Sequence, residues 1–121
     1  MARILIAEDD ASMRNFISLA LTRAGHEVDA REDGLDALSA LQDGGQFDLL
    51  LADIVMPGMD GIELSQKAVA IAPSLKVMFI TGFAAVALDK AGTTPDPGAK
   101  VMSKPFHLKD LVDQIEHLLA A

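Results

Sequence analysis

The sequence predicts a doubly wound α/β domain, in which helices cover both faces of a five-stranded parallel sheet. Short apolar runs alternate five times with longer stretches of helical periodicity. The connections between successive runs are too long for hairpins, so right-handed crossovers must join neighbouring parallel strands. Three of the runs are nearly continuous in apolar side chains, which is typical of strands buried on both faces.

The strands are predicted where short apolar, partly β-branched runs are bounded by polar or turn residues. In chain order they are Arg3 to Ala7, His26 to Ala30, Asp48 to Ala52, Leu75 to Ile80 and Lys100 to Met102. Helical periodicity begins after each of them, near Ala11, Gly34, Ile62, Ala84 and Leu108.

Two of the helices carry an apolar stripe, which indicates a face packed against the core. Gly25 follows the first helix and is suited to end it, since glycine tolerates the left-handed conformation common at helix ends. The fourth helix is predicted to be short, because two prolines and two glycines interrupt Ala91 to Gly98. The stripes are Met13, Phe16, Ile17, Ala20, Leu21 and Ala24 in the first helix, and Leu108, Leu111, Val112, Ile115, Leu118 and Leu119 in the last.

Length and composition argue against several classes of protein. The 121 residues fit a single domain, which we expect to span residues 1–121. A formal net charge of −8 opposes nucleic acid as a partner, because such binding depends on clustered Lys and Arg. The sequence has no cysteine and no apolar run long enough for a signal peptide or a membrane span. We therefore expect a cytoplasmic protein with no membrane partner.

The three histidines do not predict a metal site. His26, His107 and His117 are not at ligand spacing, and a metal site needs convergent ligands. We expect all three at the surface.

Polar side chains follow four of the five predicted strands. Glu8 and Asp9 come after the first strand, Asp53 after the third, Thr81 after the fourth and Lys104 after the fifth. Because the carboxyl ends of parallel strands meet at one edge of a sheet, these side chains are predicted to converge there. Clustered carboxylates repel one another unless cations lie among them.

Carboxylates, a lysine and a hydroxyl at one edge indicate phosphoryl transfer. Oxygen-only ligands favour Mg²⁺, which binds one or two carboxylates together with phosphate oxygens. Asp53 can then act as a nucleophile that forms an acyl phosphate, while Lys104 neutralises the transferred oxygens and Thr81 donates its hydroxyl to them. Asp10 heads the first helical stripe and is predicted to be its N-cap.

Four motifs resemble the receiver domains of bacterial two-component systems: residues 4–10, 53–61, 80–82 and 104–106. The resemblance implies a flavodoxin-like, CheY-like sheet of order 2-1-3-4-5 and a histidine kinase or histidine phosphotransfer protein as phosphodonor. It also implies roles for individual residues. Asp53 is expected to be the phospho-acceptor and, with Glu8, Asp9 and the carbonyl of Val55, a magnesium ligand. Thr81 and Lys104 are expected to be the phosphate contacts.

Residues 82–88, residues 104–108 and the short fourth helix resemble single-domain receivers that help deliver substrates to the ClpXP protease. That narrower resemblance implies an adaptor that binds the ClpX unfoldase and proteolytic substrates. The small apolar tail ending in Ala120 and Ala121 resembles segments that such unfoldases grip. Val101 departs from the family, because many receivers carry an aromatic switch residue at that position.

Other functions share part of this pattern. A CheY-like regulator or a phosphorelay intermediate acting on another target would need the same acceptor site. An aspartate-nucleophile phosphatase would carry an Asp-x-Asp motif at the end of the third strand, but Val55 stands where its second acid would be. A flavodoxin-like electron carrier needs a hydroxyl-rich loop after the first strand, where this chain is acidic.

Overall fold

The computed structural model describes residues 2–81, 100–104 and 106–120. The predicted short helix near Ala84 and the loop from Ala91 to Gly98 lie outside these residues. Strands begin within one residue of their predicted positions. The described elements are β1 (Arg3–Ala7), α1 (Ala11–Arg23), β2 (Glu27–Arg31), α2 (Gly34–Gln42), β3 (Leu49–Asp53), α3 (Gly61–Ile71), β4 (Lys76–Thr81), β5 (Lys100–Ser103) and α4 (Leu108–Ala120).

The five strands form one parallel sheet in the order β2-β1-β3-β4-β5, which confirms the predicted fold class. The register aligns the carboxyl ends of the strands. Ala7 at the end of β1 pairs with Ala52, and Thr81 at the end of β4 pairs with Ser103. The residues that follow these positions therefore share one edge of the sheet, the carboxyl edge.

Side-chain alternation along the strands divides the core into two layers. Leu5 and Leu50 contribute to the layer under α2 and α3, whereas Ile4 and Leu51 contribute to the layer under α1 and α4. All five side chains of β3 are buried. A central strand buried on both faces explains the continuous apolar run in the sequence.

Aspartates begin the first three helices. Asp10 accepts hydrogen bonds from the N–H groups of Ser12 and Met13, as predicted for an N-cap, and Asp33 and Asp60 cap α2 and α3 in the same way. Gly25 has a φ of 97°, the left-handed conformation expected after α1. No helix among the described residues is long and apolar enough to cross a membrane.

The stripe predicted for α1 is partly wrong. Ile17 and Leu21 are fully buried, but 58% of the Phe16 side chain is exposed, and Ala24 is exposed as well. The buried line therefore runs at four-residue spacing, through Ile17 and Leu21. Phe16 precedes Ile17 by one position, which rotates its side chain by about 100° away from the sheet.

His26 is not the surface residue that the sequence predicts. It is partly buried, and its Nδ1 accepts a hydrogen bond from the N–H of Ala2 at 3.2 Å. The bond joins the residues that precede β1 and β2, a tertiary pairing that the sequence pattern does not reveal. His107 and His117 are exposed, as predicted.

Candidate functional site

Three carboxylates converge at the carboxyl edge. Glu8 and Asp9 follow β1, Asp53 ends β3, and one carboxylate oxygen from each lies within 4.8 Å of the others. Glu8 is fully buried and Asp53 is 4% exposed, whereas Asp9 is exposed. The structure thus brings together the three acids that the sequence analysis placed at this edge.

Lys104 lies between two of these acids. Its Nζ donates to Glu8 Oε2 at 3.1 Å and to Asp53 Oδ2 at 3.0 Å. Its backbone N–H donates to the carbonyl of Thr81 at 2.7 Å, which ties the residue after β5 to the end of β4. Burial disfavours the ammonium, but the hydrogen bonds to Asp53 and Glu8 outweigh it and raise the pKa of Lys104 above its ordinary value.

The buried Glu8 carboxyl group has a raised pKa. Burial raises its pKa from 4.5 to about 7, and the neighbouring Asp53 carboxylate adds to the increase. The N–H of Asp10, which donates to Glu8 Oε1 at 3.0 Å, and the Lys104 ammonium both oppose it. In the absence of a bound cation, Glu8 therefore holds a proton up to about neutral pH.

Thr81 and Val55 flank Asp53. Thr81 ends β4 and is 1% exposed, and Asp53 pairs in register with the residue just before it. The N–H of Val55 donates to Asp53 Oδ1 at 3.1 Å, while half of the Val55 side chain is exposed. Two donors, the Val55 N–H and the Lys104 ammonium, thus hold the two oxygens of the Asp53 carboxylate.

The remaining predicted positions lie further away. Val101 in β5 is 37% exposed and pairs in register with Phe79. Strand alternation places Val101 on the same face of the sheet as Ser103, the register partner of Thr81. Ala120 is exposed at the end of α4, and Ala121 lies outside the described residues.

The donor set fits a hard divalent cation. All three convergent side chains offer carboxylate oxygens, and Mg²⁺ is commonly bound by one or two carboxylates while keeping several waters. The exposed Asp9 leaves the cluster open to solvent on one side, as a partly hydrated ion requires. Such an ion, held by these acids, would supply positive charge beside Asp53.

Gly61 is a site residue whose importance the sequence analysis missed. A Cβ atom at this position would lie 2.3 Å from the carbonyl oxygen of Asp53. The N–H of Gly61 also donates to the carbonyl of Ile54 at 2.9 Å, so the start of α3 packs directly on the backbone at the end of β3. The sequence signal for this contact is a glycine directly after the Asp60 cap, because glycine is ordinarily unfavourable inside a helix.

We expect Gly61→Ala to lower the free energy of unfolding by about 1 to 3 kcal/mol, because the new methyl group meets backbone atoms that cannot rotate away. It should also weaken Mg²⁺ binding, since Asp53 must shift. Urea denaturation and calorimetric titration check the two effects. Gln66→Ala is the control, because Gln66 is an exposed residue of the same helix. If Gly61→Ala bound Mg²⁺ as the parent chain does, the contact would not position Asp53.

Comparison with known proteins identifies the family. Residues 4–116 match the response regulator receiver domain family. The chain is 56% identical over 121 residues to the response regulator receiver protein CpdR of Brucella abortus, covering 100% of this chain and 99% of CpdR.

Two solved structures are similar over nearly the whole chain. One is a CheY-like receiver domain protein from Methanospirillum hungatei, with a TM-score of 0.83, 30% identity and coverage of 99% of this chain and 94% of that one. The other is the response regulator TrrA from Thermotoga maritima in complex with Mg²⁺ and BeF, with a TM-score of 0.82, 27% identity and coverage of 98% and 99%. The chain belongs to the response regulator receiver domains of two-component systems.

Proposed function

We propose that this chain is a stand-alone response regulator that accepts a phosphoryl group on Asp53 in a Mg²⁺-dependent reaction. The observation that carries the proposal is the cluster of Glu8, Asp9 and Asp53 at the carboxyl edge, in which the Lys104 ammonium pairs with Glu8 and Asp53. The near-complete coverage of CpdR supports a regulator that works without a fused effector domain. Receiver domains take their phosphoryl group from histidine kinases, directly or through histidine phosphotransfer proteins, and we propose such a donor here.

The geometry suggests how Asp53 works as the acceptor. The N–H of Val55 and the ammonium of Lys104 orient its carboxylate, so an oxygen is presented for in-line attack on phosphorus. The bond between phosphorus and the donor nitrogen breaks as the new acyl phosphate bond forms. Lys104 then transfers its hydrogen bonds from the acids to the phosphoryl oxygens, and the Thr81 hydroxyl donates to the same group.

Mass spectrometry tests the proposal directly. The protein is incubated with a small phosphoryl donor in Mg²⁺ or in EDTA, and the fraction carrying one phosphoryl group is measured. We expect an acid-stable, base-labile adduct in Mg²⁺ and almost none in EDTA, because unscreened acids repel the incoming phosphate. Equal labelling under the two conditions would contradict a metal-dependent site.

Lys104→Ala and Thr81→Ala should preserve the fold but uncouple phosphorylation from partner binding, since both residues act at the phosphoryl group. Coupling between two sites is typically worth about 5- to 150-fold in affinity, and losing one phosphate contact should remove most of it. Titration of the partner with phosphorylated and unphosphorylated protein measures this ratio. A parent-like ratio in Thr81→Ala would show that its hydroxyl does not sense phosphate.

We propose control of ClpXP-type proteolysis as the output. The motif resemblance of residues 82–88 and 104–108 supports it, and so does the high identity to CpdR. The net charge of −8 favours a protein partner over nucleic acid.

A CheY-like or relay role on another target is the alternative, and an aspartate-nucleophile phosphatase lacks support because Val55 replaces its second acid. Equal unfoldase binding by the unphosphorylated protein and a phosphoryl mimic would exclude the adaptor role.

Replacing Ala120 and Ala121 by Asp should slow degradation of the protein by the same protease. The change places two charges where an unfoldase needs a small apolar grip, and Ala120 is exposed at the end of α4, remote from the carboxyl edge. Half-life in cells that contain the protease measures the effect, with Asp53 labelling as the control for the intact site. An unchanged half-life would eliminate the tail as a degradation signal.

A further inference from the structure

Arg14 is a charged residue that neither the sequence motifs nor the proposed mechanism uses. It lies in the first turns of α1, and its Nη1 donates to the carbonyl oxygen of Glu8 at 2.8 Å. The bond crosses from the helix back to the turn between β1 and α1, the segment that carries both Glu8 and Asp9. It is partly buried and spans six residues of sequence.

The remaining polar groups of Glu8 are also held. Its N–H donates to the carbonyl of Arg31 at 3.1 Å, and its side-chain oxygens accept from the N–H of Asp10 and from Lys104. Lys104 must turn toward a phosphoryl group when one arrives, so its contact with Glu8 is temporary in the proposed reaction. The backbone of Glu8 then depends on Arg31 on one side and on Arg14 on the other.

The carbonyl that Arg14 holds belongs to the peptide unit linking Glu8 to Asp9. A peptide unit is planar, so fixing its oxygen also fixes the direction in which the chain enters Asp9. Among the described residues, the Asp9 carboxylate makes no hydrogen bond or ion pair of its own, and the side chain is exposed. Its position relative to Asp53 is therefore set by this backbone.

We propose that Arg14 is a positioning residue of the cation site: by fixing the peptide between Glu8 and Asp9, it aims both carboxylates at the point where they converge with Asp53. The inference rests on the proposed function, in which these acids hold Mg²⁺. Residues that orient metal ligands typically change metal affinity by about 10- to 100-fold when they are removed.

Because Arg14 is charged, the change in Mg²⁺ affinity after its removal distinguishes a positioning role from simple charge repulsion. A guanidinium near the site repels a divalent cation, so deleting its charge alone would tighten Mg²⁺ binding. Loss of positioning weakens binding instead. The direction of the change in affinity thus separates the two roles without any assumption about size.

Isothermal titration with Mg²⁺ alone tests the proposal. We expect the dissociation constant to rise roughly tenfold in Arg14→Met. In Arg14→Lys it should be close to the parent value, because the lysine ammonium can donate to the same carbonyl. In Arg23→Met it should stay unchanged. Arg23 is the matched control, because it is an exposed arginine in the last turn of the same helix. Circular dichroism in EDTA establishes that each variant is folded, and Arg14→Gln replaces Arg14→Met if the latter is not.

Unchanged or tighter Mg²⁺ binding in the folded Arg14→Met or Arg14→Gln protein would overturn the positioning role while leaving the cation site intact. A parent chain that binds no Mg²⁺, or that binds it equally after Asp9→Asn, would overturn the proposed site and this inference with it.

Discussion

Asp53→Asn should abolish phosphorylation of the chain. The substitution removes the anionic nucleophile, because a neutral amide oxygen does not form a stable bond to phosphorus under these conditions. It keeps the size of the side chain and an oxygen for the Val55 N–H, so the fold should persist. Intact-mass spectrometry after incubation with Mg²⁺ and a small phosphoryl donor measures the yield, which we expect to fall to background.

Asp48→Asn is the matched control for this experiment. Asp48 directly precedes β3, the strand that ends on Asp53, and so lies at the opposite edge of the sheet. Its carboxylate accepts a hydrogen bond from the N–H of Arg3 at 2.8 Å and is exposed. Normal labelling of Asp48→Asn together with none of Asp53→Asn would assign the acceptor. A parent-like yield of adduct in Asp53→Asn would refute the assignment.

The fold and the gathering of the acids were predictable because both follow from local patterns and topology. Apolar runs such as Asp48 to Ala52 identify buried strands without any knowledge of their neighbours. Once the sheet is parallel, its carboxyl ends must lie at one edge. Glu8, Asp53 and Lys104 are far apart in sequence, yet that single constraint places them together.

The features that the sequence patterns did not reveal depend on contacts between elements. Whether Phe16 reaches the core depends on the rotation of α1 against the sheet, which a stripe of side chains leaves uncertain by one position. The need for glycine at Gly61 comes from the backbone of Asp53, and the bond from Arg14 to Glu8 depends on how α1 leaves the turn before it. His26 is partly buried by a bond to another chain segment. Periodicity carries no signal for these contacts.

The raised pKa of Glu8 should make the metal-free protein less stable as pH increases. A group whose pKa is higher in the folded state than in the unfolded state favours folding at low pH, because the folded state binds more protons. Stability should therefore fall as pH rises from about 4.5 through about 7 and then level off. The increase in pKa from 4.5 to about 7 corresponds to about 3 kcal/mol at most, since one pKa unit is about 1.4 kcal/mol.

Glu8→Gln should remove this pH dependence and stabilise the metal-free protein at pH 8, because no charge then has to be buried. The gain should be at most about 3 kcal/mol, because the raised pKa already includes the opposing interaction of the Glu8 carboxylate with Lys104. Urea denaturation in EDTA between pH 5 and 8.5 measures the difference in unfolding free energy between parent and variant. Glu63→Gln is the control, because Glu63 is half exposed and pairs with Lys67 on the surface of α3.

Mg²⁺ should reverse the order of stability, so that the parent becomes more stable than Glu8→Gln. Binding requires the ionised form of Glu8, so the affinity of the parent for Mg²⁺ should increase as pH rises through about 7 and level off above it. Glu8→Gln has no carboxylate to ionise, and its weaker Mg²⁺ binding should be nearly independent of pH. The buried charge that destabilises the empty site is thus the charge that the cation needs. A parent affinity that stays constant between pH 6 and 8 would show that Glu8 is not part of the cation site.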